Sequence, residues 1–296
     1  MGTKCEFYLF KLDETGEPTR IPHDSAGYCD LAPRDRGENV RREICLTLEQ
    51  MGVHPESSHH ESGPGQNEVD FRGSDPVSSA DNLATFKTVV KTVADRYGLF
   101  ASFMPKPLGD KAGSGLHISV SLTKDGRNLF AGDLSAEAKS FIAGILYRVR
   151  EITAFLNPYP NSYERFGAFE APRYISWGRG NRSQLVRLPA APEGNARMEL
   201  RSPDPSCNQY LAIYLLLAAG FEGIEQKRSL QPETSIDLQT AGAADTRALG
   251  SLPLTQKEAV SLALESDFVR AMLSPRTLSA FAEAEESARR PDFAAV

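Results

Sequence analysis

Residues 58–71, SHHESGPGQNEVDF, place two His, two Glu and an Asp around a Ser-Gly-Pro-Gly turn. Three of the five histidines, His54, His59 and His60, fall in or beside this segment. Such a turn between two short runs reads as a hairpin, able to aim Glu61 and Glu68 from adjacent strands at one point. Glu6 in CEFYLFKL, Glu56 just before the hairpin and Glu199 in RMELR also lie on or beside expected strands. Glutamate is a poor strand former, and a carboxylate facing inward is costly unless it is paired. Taken singly, each acid reads as solvent-facing, and His117, on the alternating run LHISVSL, as a core histidine. Taken together, several Glu and one His make the donor set that hard divalent cations require. Mg²⁺ or Mn²⁺ suits it; the four scattered cysteines offer no thiolate zinc site.

A second cluster, RFGAFEAPRYISWGRGNRSQLVRLP, concentrates Arg165, Arg173, Arg179, Arg182 and Arg187 in an otherwise acidic chain. Arginine offers a planar fork of donors to phosphate or carboxylate, although such a run can also be a solvated basic face. In RMELR, Arg197, Glu199 and Arg201 share one face of an expected strand because they are spaced by two. That ladder suits a metal–phosphate–carboxylate site or a surface salt-bridge row. No GxxxxGK loop is present, and the GSG before His117 is too short for a dinucleotide fingerprint. The residues alone therefore point to a metal-dependent enzyme handling phosphoryl or carboxylate groups.

The elements that must position these groups follow from periodicity. CEFYLFKL alternates as a strand, residues 38–51 have helical spacing at Val40, Ile44, Leu46 and Leu48, and Ser78 with Asp81 reads as a capping box for a helix to about residue 97. Short strands are expected at FASFM and LHISVSL, with a hairpin at Asp125-Gly126, then a long helix over residues 135–156. Strands around YISW, QLVRL and RMELR precede a buried helix over 208–221 and an Ala-rich helical stretch from about Thr255, while 229–250 resembles a linker. Hairpin-joined strands with helices grouped between them predict an α+β domain around a largely antiparallel sheet.

Bulk properties narrow the class. A net charge of −6 argues against a general nucleic-acid binder, and the longest apolar run, YLAIYLLLAAGF, falls short of the roughly 20 residues that span a bilayer. The start carries no basic-then-apolar signal, and four unpaired-looking cysteines suit a reducing compartment, so a cytoplasmic protein is expected.

CEFYLF, HHE–PGQNE, FMPKP, GSGLH…SL, NSYERF…EAP, NRSQLVRLP and RMELRSPDPS…YLA run in the same order as in glutamine synthetases. The chain resembles that family's catalytic domain over nearly its whole length, with residues 1–296 as one domain of curved, largely antiparallel α+β type and no counterpart to the family's small N-terminal β-grasp domain. The resemblance implies ATP-dependent joining of ammonium to the side-chain carboxylate of glutamate through a γ-glutamyl phosphate, with Mg²⁺ or Mn²⁺. It implies Glu6, Glu61 and Glu68 at the metal nearer glutamate, and His117 with Glu199 at the metal nearer the phosphates. Glu56, Ser119, Ser121, Arg187 and Arg197 would contact ATP; Gly113, Arg165 and Arg201 would bind glutamate. Arg182 would stabilise charge during phosphoryl transfer, and Glu170 on a flap would shield the acyl phosphate and take a proton from the ammonium.

Several positions depart from the family pattern. Lys4 stands where a second glutamate usually serves the ATP-side metal, so a ligand is lost there and an ammonium charge is gained. Ala112 replaces an Asn before the glycine turn, Ser119 replaces a His at ATP, and the flap between Arg165 and Glu170 is one residue short. These changes leave two alternatives beside glutamine synthesis, namely a γ-glutamyl-amine ligase with another acceptor and a non-catalytic relative acting as a structural or interaction subunit. Family members assemble into rings whose active sites lie between neighbours, and a weaker or altered homo-oligomer is expected here.

Overall fold

The computed structural model describes residues 1–287 and 293–294. The strands are β1 (Gly2–Leu12), β2 (Pro18–Pro22), β3 (Pro55–His60), β4 (Gln66–Phe71), β5 (Leu99–Ser102), β6 (Leu116–Val120), β7 (Thr123–Lys124), β8 (Arg127–Asn128), β9 (Trp177–Arg179), β10 (Val186–Leu188) and β11 (Met198–Leu200). The helices are α1 (Glu38–Gln50), α2 (Pro76–Arg96), α3 (Ala136–Leu156), α4 (Gln209–Glu225), α5 (Ala243–Thr246), α6 (Gln256–Glu265), α7 (Asp267–Met272) and α8 (Pro275–Ser287). The end of the helical stretch expected from Thr255 lies outside the described residues. No described helix is long and apolar enough to cross a membrane.

Nine strands form one sheet whose main path runs β3-β4-β1-β6-β11-β10-β9, with β2 and β5 also pairing to β1. The pairs are antiparallel except β9–β10. β1 is central because its sequence alternates twice over. Cys5, Phe7 and Leu9 enter the main core, while Lys4, Glu6 and Tyr8 face the other way. Val69 and Phe71 on β4, Leu116 and Ile118 on β6, and Met198 and Leu200 on β11 repeat the apolar half of the pattern beneath α1–α4. Glu68, His117 and Glu199 repeat the polar half. The sheet thus keeps a charged face on top of a packed apolar one.

Three sequence readings are corrected. The cap of α2 is Asp75, whose carboxylate accepts from the Val77 and Ser78 N–H groups at 3.1 Å each, with Pro76 opening the helix. Leu46 is exposed, and Arg41 takes its place on the buried face of α1, paired with buried Asp35. Residues 229–250 are no free linker. They lie along β9, where the Thr234 N–H donates to the Trp177 carbonyl at 2.9 Å and Arg179 pairs with Glu233 at 2.7 Å. Polar composition signalled a linker because these contacts mostly join a side chain to a backbone group distant in sequence, which composition does not record.

The pair α3–α4 closes over two glycines. A Cβ built on Gly144 would sit 2.2 Å from the Ala219 carbonyl oxygen, and one on Gly223 would sit 2.2 Å from that of Ser140. Gly144→Ala should therefore push these helices apart and destabilise the domain by about 1–3 kcal/mol, as overpacking does. Urea unfolding reads this as a lower midpoint; an unchanged midpoint would show that the helices can slide without cost.

Candidate active site

The charged face becomes a site because the strand register brings its residues into rows. Glu6 on β1 pairs in register with Glu68 on β4, Lys4 with Asp70 on one side and His117 on the other, and Glu199 on β11 with Ser119 and Arg187. Acids separated by up to 193 residues thereby share one cavity of about 100 Å³. The hairpin expected at residues 58–71 is present as β3 and β4, with Glu61 at its turn beside His59.

Glu6 is held from below. One of its carboxylate oxygens accepts from the Gln66 side-chain amide and from the Gly115 N–H, both at 2.9 Å. Its other oxygen is left for the cavity. Ligand atoms of Glu6, Glu68 and His117 lie within 4.8 Å of one another, as do those of His59, Glu61 and Glu68. Glu68 belongs to both groups. His117 also lies 3.8 Å from Glu199, through Nδ1 to Oε1.

Electrostatics supports a cation in this set. Burial drives the Glu6 carboxyl well above its ordinary range, with Glu61 and Glu68 adding repulsion. Burial and Glu68 lift Glu61 to about 7. Burial also pushes Glu68 up, but the His59 hydrogen bond and the Lys4 ammonium outweigh it and hold Glu68 ionised. His59 is raised to about 9, first by that hydrogen bond at 3.1 Å, so it sits among the acids as an imidazolium. His117 is pushed well below its usual value by burial and then by Arg201, which leaves a neutral imidazole able to coordinate. Clustered carboxylates that repel one another, beside a neutral imidazole, fit a hard divalent cation of Mg²⁺ or Mn²⁺ type.

The pH dependence follows from Glu61. Its folded value exceeds its usual 4.5 and reaches about 7, so the folded state binds the extra proton and metal-free stability is lost as pH rises through that window. Added Mn²⁺ should reverse the trend because it binds the ionised carboxylates. Melting temperatures falling between about pH 5 and about pH 8 without metal, and recovering with it, are expected. A flat profile would remove Glu61 from the acid cluster.

The anion side is built from arginines. Glu199 Oε2 accepts from Arg201 at 3.2 Å and from Arg187 at 3.4 Å. Arg165 is buried at the end of a 3-10 turn, where one arm donates to the Ser202 and Pro203 carbonyls at 3.1 and 3.4 Å. The buried Nε atoms of Arg165 and Arg201 have no hydrogen-bond partner among the described residues, while both residues line the cavity. Gly113 fits beside Arg165 only as glycine, since a Cβ would fall 2.5 Å from both the Arg165 Cγ and the Pro105 carbonyl oxygen. Ala112 brings no polar side chain to this end; its carbonyl accepts from the Tyr8 hydroxyl at 2.5 Å.

At the mouth, Glu170 has φ of 63° and lies 3.6 Å from Arg182. Arg182 also donates to the Tyr28 hydroxyl at 3.1 Å, and the Tyr28 ring stands edge-on to His59 with centroids 5.5 Å apart. Tyr28, His59 and Gln66 line the cavity and Asp70 the neighbouring cleft, four placements to which the sequence reading gave no role. Gln66 and Asp70 could have been found from their spacing of two on either side of Glu68. Tyr28 carries no local signal, because a loop distant in sequence delivers it.

The residues expected at ATP divide between two places. Glu56, Ser119, Ser121 and Arg197 line a separate cleft of about 660 Å³ next to the acidic cavity, whereas Arg187 lies in the cavity itself. Glu56 is exposed, unlike the buried Glu6, Glu68 and Glu199.

An α+β domain with a buried acid–histidine set and a row of arginines on the open face of its sheet defines a class of site made for cations and oxyanions together. A family model described as "Glutamine synthetase, catalytic domain" matches residues 1–290, and the chain belongs to this family. It is 46% identical over 283 residues to a glutamine synthetase of Clostridium saccharobutylicum, with 92% of this chain and 63% of that protein covered. It is also 46% identical over 294 residues to that of Methanosarcina mazei, covering 97% of this chain and 66% of that protein. The chain thus spans a little under two thirds of the length of these relatives. Among solved structures, a GmaS–ADP complex superposes with a TM-score of 0.85 at 34% identity, covering 97% of this chain and 68% of that one. A Plasmodium falciparum glutamine synthetase shares the fold with a TM-score of 0.81 at 21% identity, over 96% and 71% of the two chains.

Proposed function

We propose that the chain is the catalytic domain of an ATP-dependent ligase that joins ammonium to the side-chain carboxylate of glutamate through a γ-glutamyl phosphate. The observation that carries this reading is the juxtaposition of the acidic cavity, lined also by Arg165, Arg187 and Arg201, and the larger cleft beside it. The ADP held by the GmaS relative supports an adenine nucleotide as the occupant of that cleft.

In this reading Glu6, Glu61 and Glu68 would hold one divalent cation, and His117 with Glu199 a second. When bound, such ions neutralise the repulsion between a triphosphate and a carboxylate. Arg165, Arg201 and the Gly113 backbone hold glutamate, with its side chain directed at the nucleotide. Glu56, Ser119, Ser121, Arg187 and Arg197 bind ATP. Arg182 stabilises negative charge as the phosphoryl group moves, and its planar fork suits that task. Glu170 closes the mouth, excludes water from the acyl phosphate and accepts a proton from the ammonium so that neutral ammonia attacks. The four free thiols support a reducing, cytoplasmic setting, and homo-oligomerisation follows the family.

Phosphate release from ATP and Mg²⁺ that requires both glutamate and ammonium is the expected result. Release that requires glutamate and a different amine would favour the related γ-glutamyl-amine ligase, a reading that the apolar Ala112 beside Gly113 supports. Nucleotide binding without release under any of these conditions would favour a non-catalytic relative.

A further inference from the structure

Lys4 is the one residue, among the described residues, that lines both the acidic cavity and the large cleft. It lies on central strand β1, paired with Asp70 on β4 and His117 on β6. Its ammonium sits 3.0 Å from Asp70 Oδ2 and 3.4 Å from Glu68 Oε1, with 29% of the side chain accessible. Lys4 therefore borders both the cleft and the cavity that holds the arginines. An ammonium has three donors and no lone pair, so it cannot act as a metal ligand, and the two carboxylates take only two of its three N–H groups.

We propose that Lys4 is a polyphosphate-binding catalytic residue at the seam between cleft and cavity, where its ammonium holds the phosphate chain of a nucleoside triphosphate. The ligand chemistry follows from the surroundings. On the cleft side stand Arg72 and Arg197, and on the cavity side Arg182, Arg187 and Arg201. A polyphosphate carries anionic oxygens along a chain and so offers charge to cations on both sides of Lys4, where a single phosphate or carboxylate presents one anionic group. Asp70 and Glu68 keep the lysine aimed across the seam. This fixed cation acts where a neutral or acidic side chain would leave the phosphates facing Glu6, Glu68 and Asp70 uncompensated. The proposal rests on the ligase reading for the identity of its nucleotide, but not for binding of the phosphate chain itself.

Calorimetry on the full chain with Mg²⁺ tests it, using inorganic tripolyphosphate, the non-hydrolysable analogue AMP-PNP, and AMP as probes. Lys4→Gln keeps a hydrogen-bonding side chain between Glu68 and Asp70 and removes the charge; Lys4→Met removes both. Either variant should bind tripolyphosphate and AMP-PNP about 10- to 100-fold more weakly, the loss of one charge-assisted hydrogen bond, and AMP as before. Lys4→Arg should restore most of the affinity. Equal tripolyphosphate affinity in the parent and both variants, or no binding by the parent, would overturn the proposal. Equal loss for AMP and AMP-PNP would also overturn it, because that pattern reports a deformed cleft. Lys4-dependent tripolyphosphate binding without glutamate- and ammonium-dependent phosphate release would uphold the lysine's role and sink the ligase reading instead.

Discussion

Glu68→Ala should abolish the metal-dependent stabilisation of the protein by ATP and cut glutamate-dependent phosphate release by about 1,000-fold, a loss matching the several kcal/mol that a bound metal supplies. Glu68 is singled out by its position. It is the only acid common to the Glu6–Glu68–His117 and His59–Glu61–Glu68 groups, and it also anchors Lys4. Removing it takes a ligand from both groups at once and leaves His59 without its shortest carboxylate contact. The effect on metal-free stability should be smaller, because removing Glu68 also relieves its repulsion of Glu6 and Glu61. Melting curves with Mn²⁺ and ATP, recorded for parent and variant, make the comparison. An undiminished ligand-induced shift in Glu68→Ala would mean that the cation binds elsewhere.

Arg182→Ala should lower the turnover number about 100- to 1,000-fold while changing the KM for glutamate little, the pattern of a group that acts chiefly in the transition state. Its placement favours that split. Arg182 lies at the mouth beside Glu170 and Tyr28, while the buried arginines, Arg165 and Arg201, occupy the floor where a carboxylate would rest. Arg182→Lys should recover little, because an ammonium cannot present two parallel N–H groups to a phosphoryl oxygen pair. A large rise in KM with turnover preserved would move Arg182 from phosphoryl transfer to ground-state binding of glutamate.

The legible part of this protein was its local pattern. Alternation in CEFYLFKL sets Glu6 opposite Cys5 and Phe7, and the same period sets Glu68 opposite Val69 and Glu199 opposite Met198 and Leu200. The stiff turn at residues 62–65 identified β3 and β4 as a hairpin, and the helices expected over 135–156 and 208–221 are α3 and α4, which the structure shows capped by Ser135 and Asn208. The misreadings have separate causes. Ser78 with Asp81 satisfied the capping pattern, yet Asp75 with Pro76 satisfied it three residues earlier and captured the free N–H groups. Leu46 fitted the helical spacing, but the buried Asp35 carboxylate and the Asn67 amide drew Arg41 to the inner face instead.

By itself the sequence determined which residues share a face, because that depends only on a period of two along a strand or a capping group at a helix end. It could also expose, through ordered motifs, the family to which the chain belongs. Strand order is a different matter. The path β3-β4-β1-β6-β11 is not the order of the chain, and it is selected by burying apolar halves of distant strands against common helices. Only that long-range choice put Lys4 between Asp70 and His117, brought Tyr28 against Arg182 and His59, and set Glu199 within reach of Arg187 and His117. The carboxylates were written locally; their company was decided by the sheet.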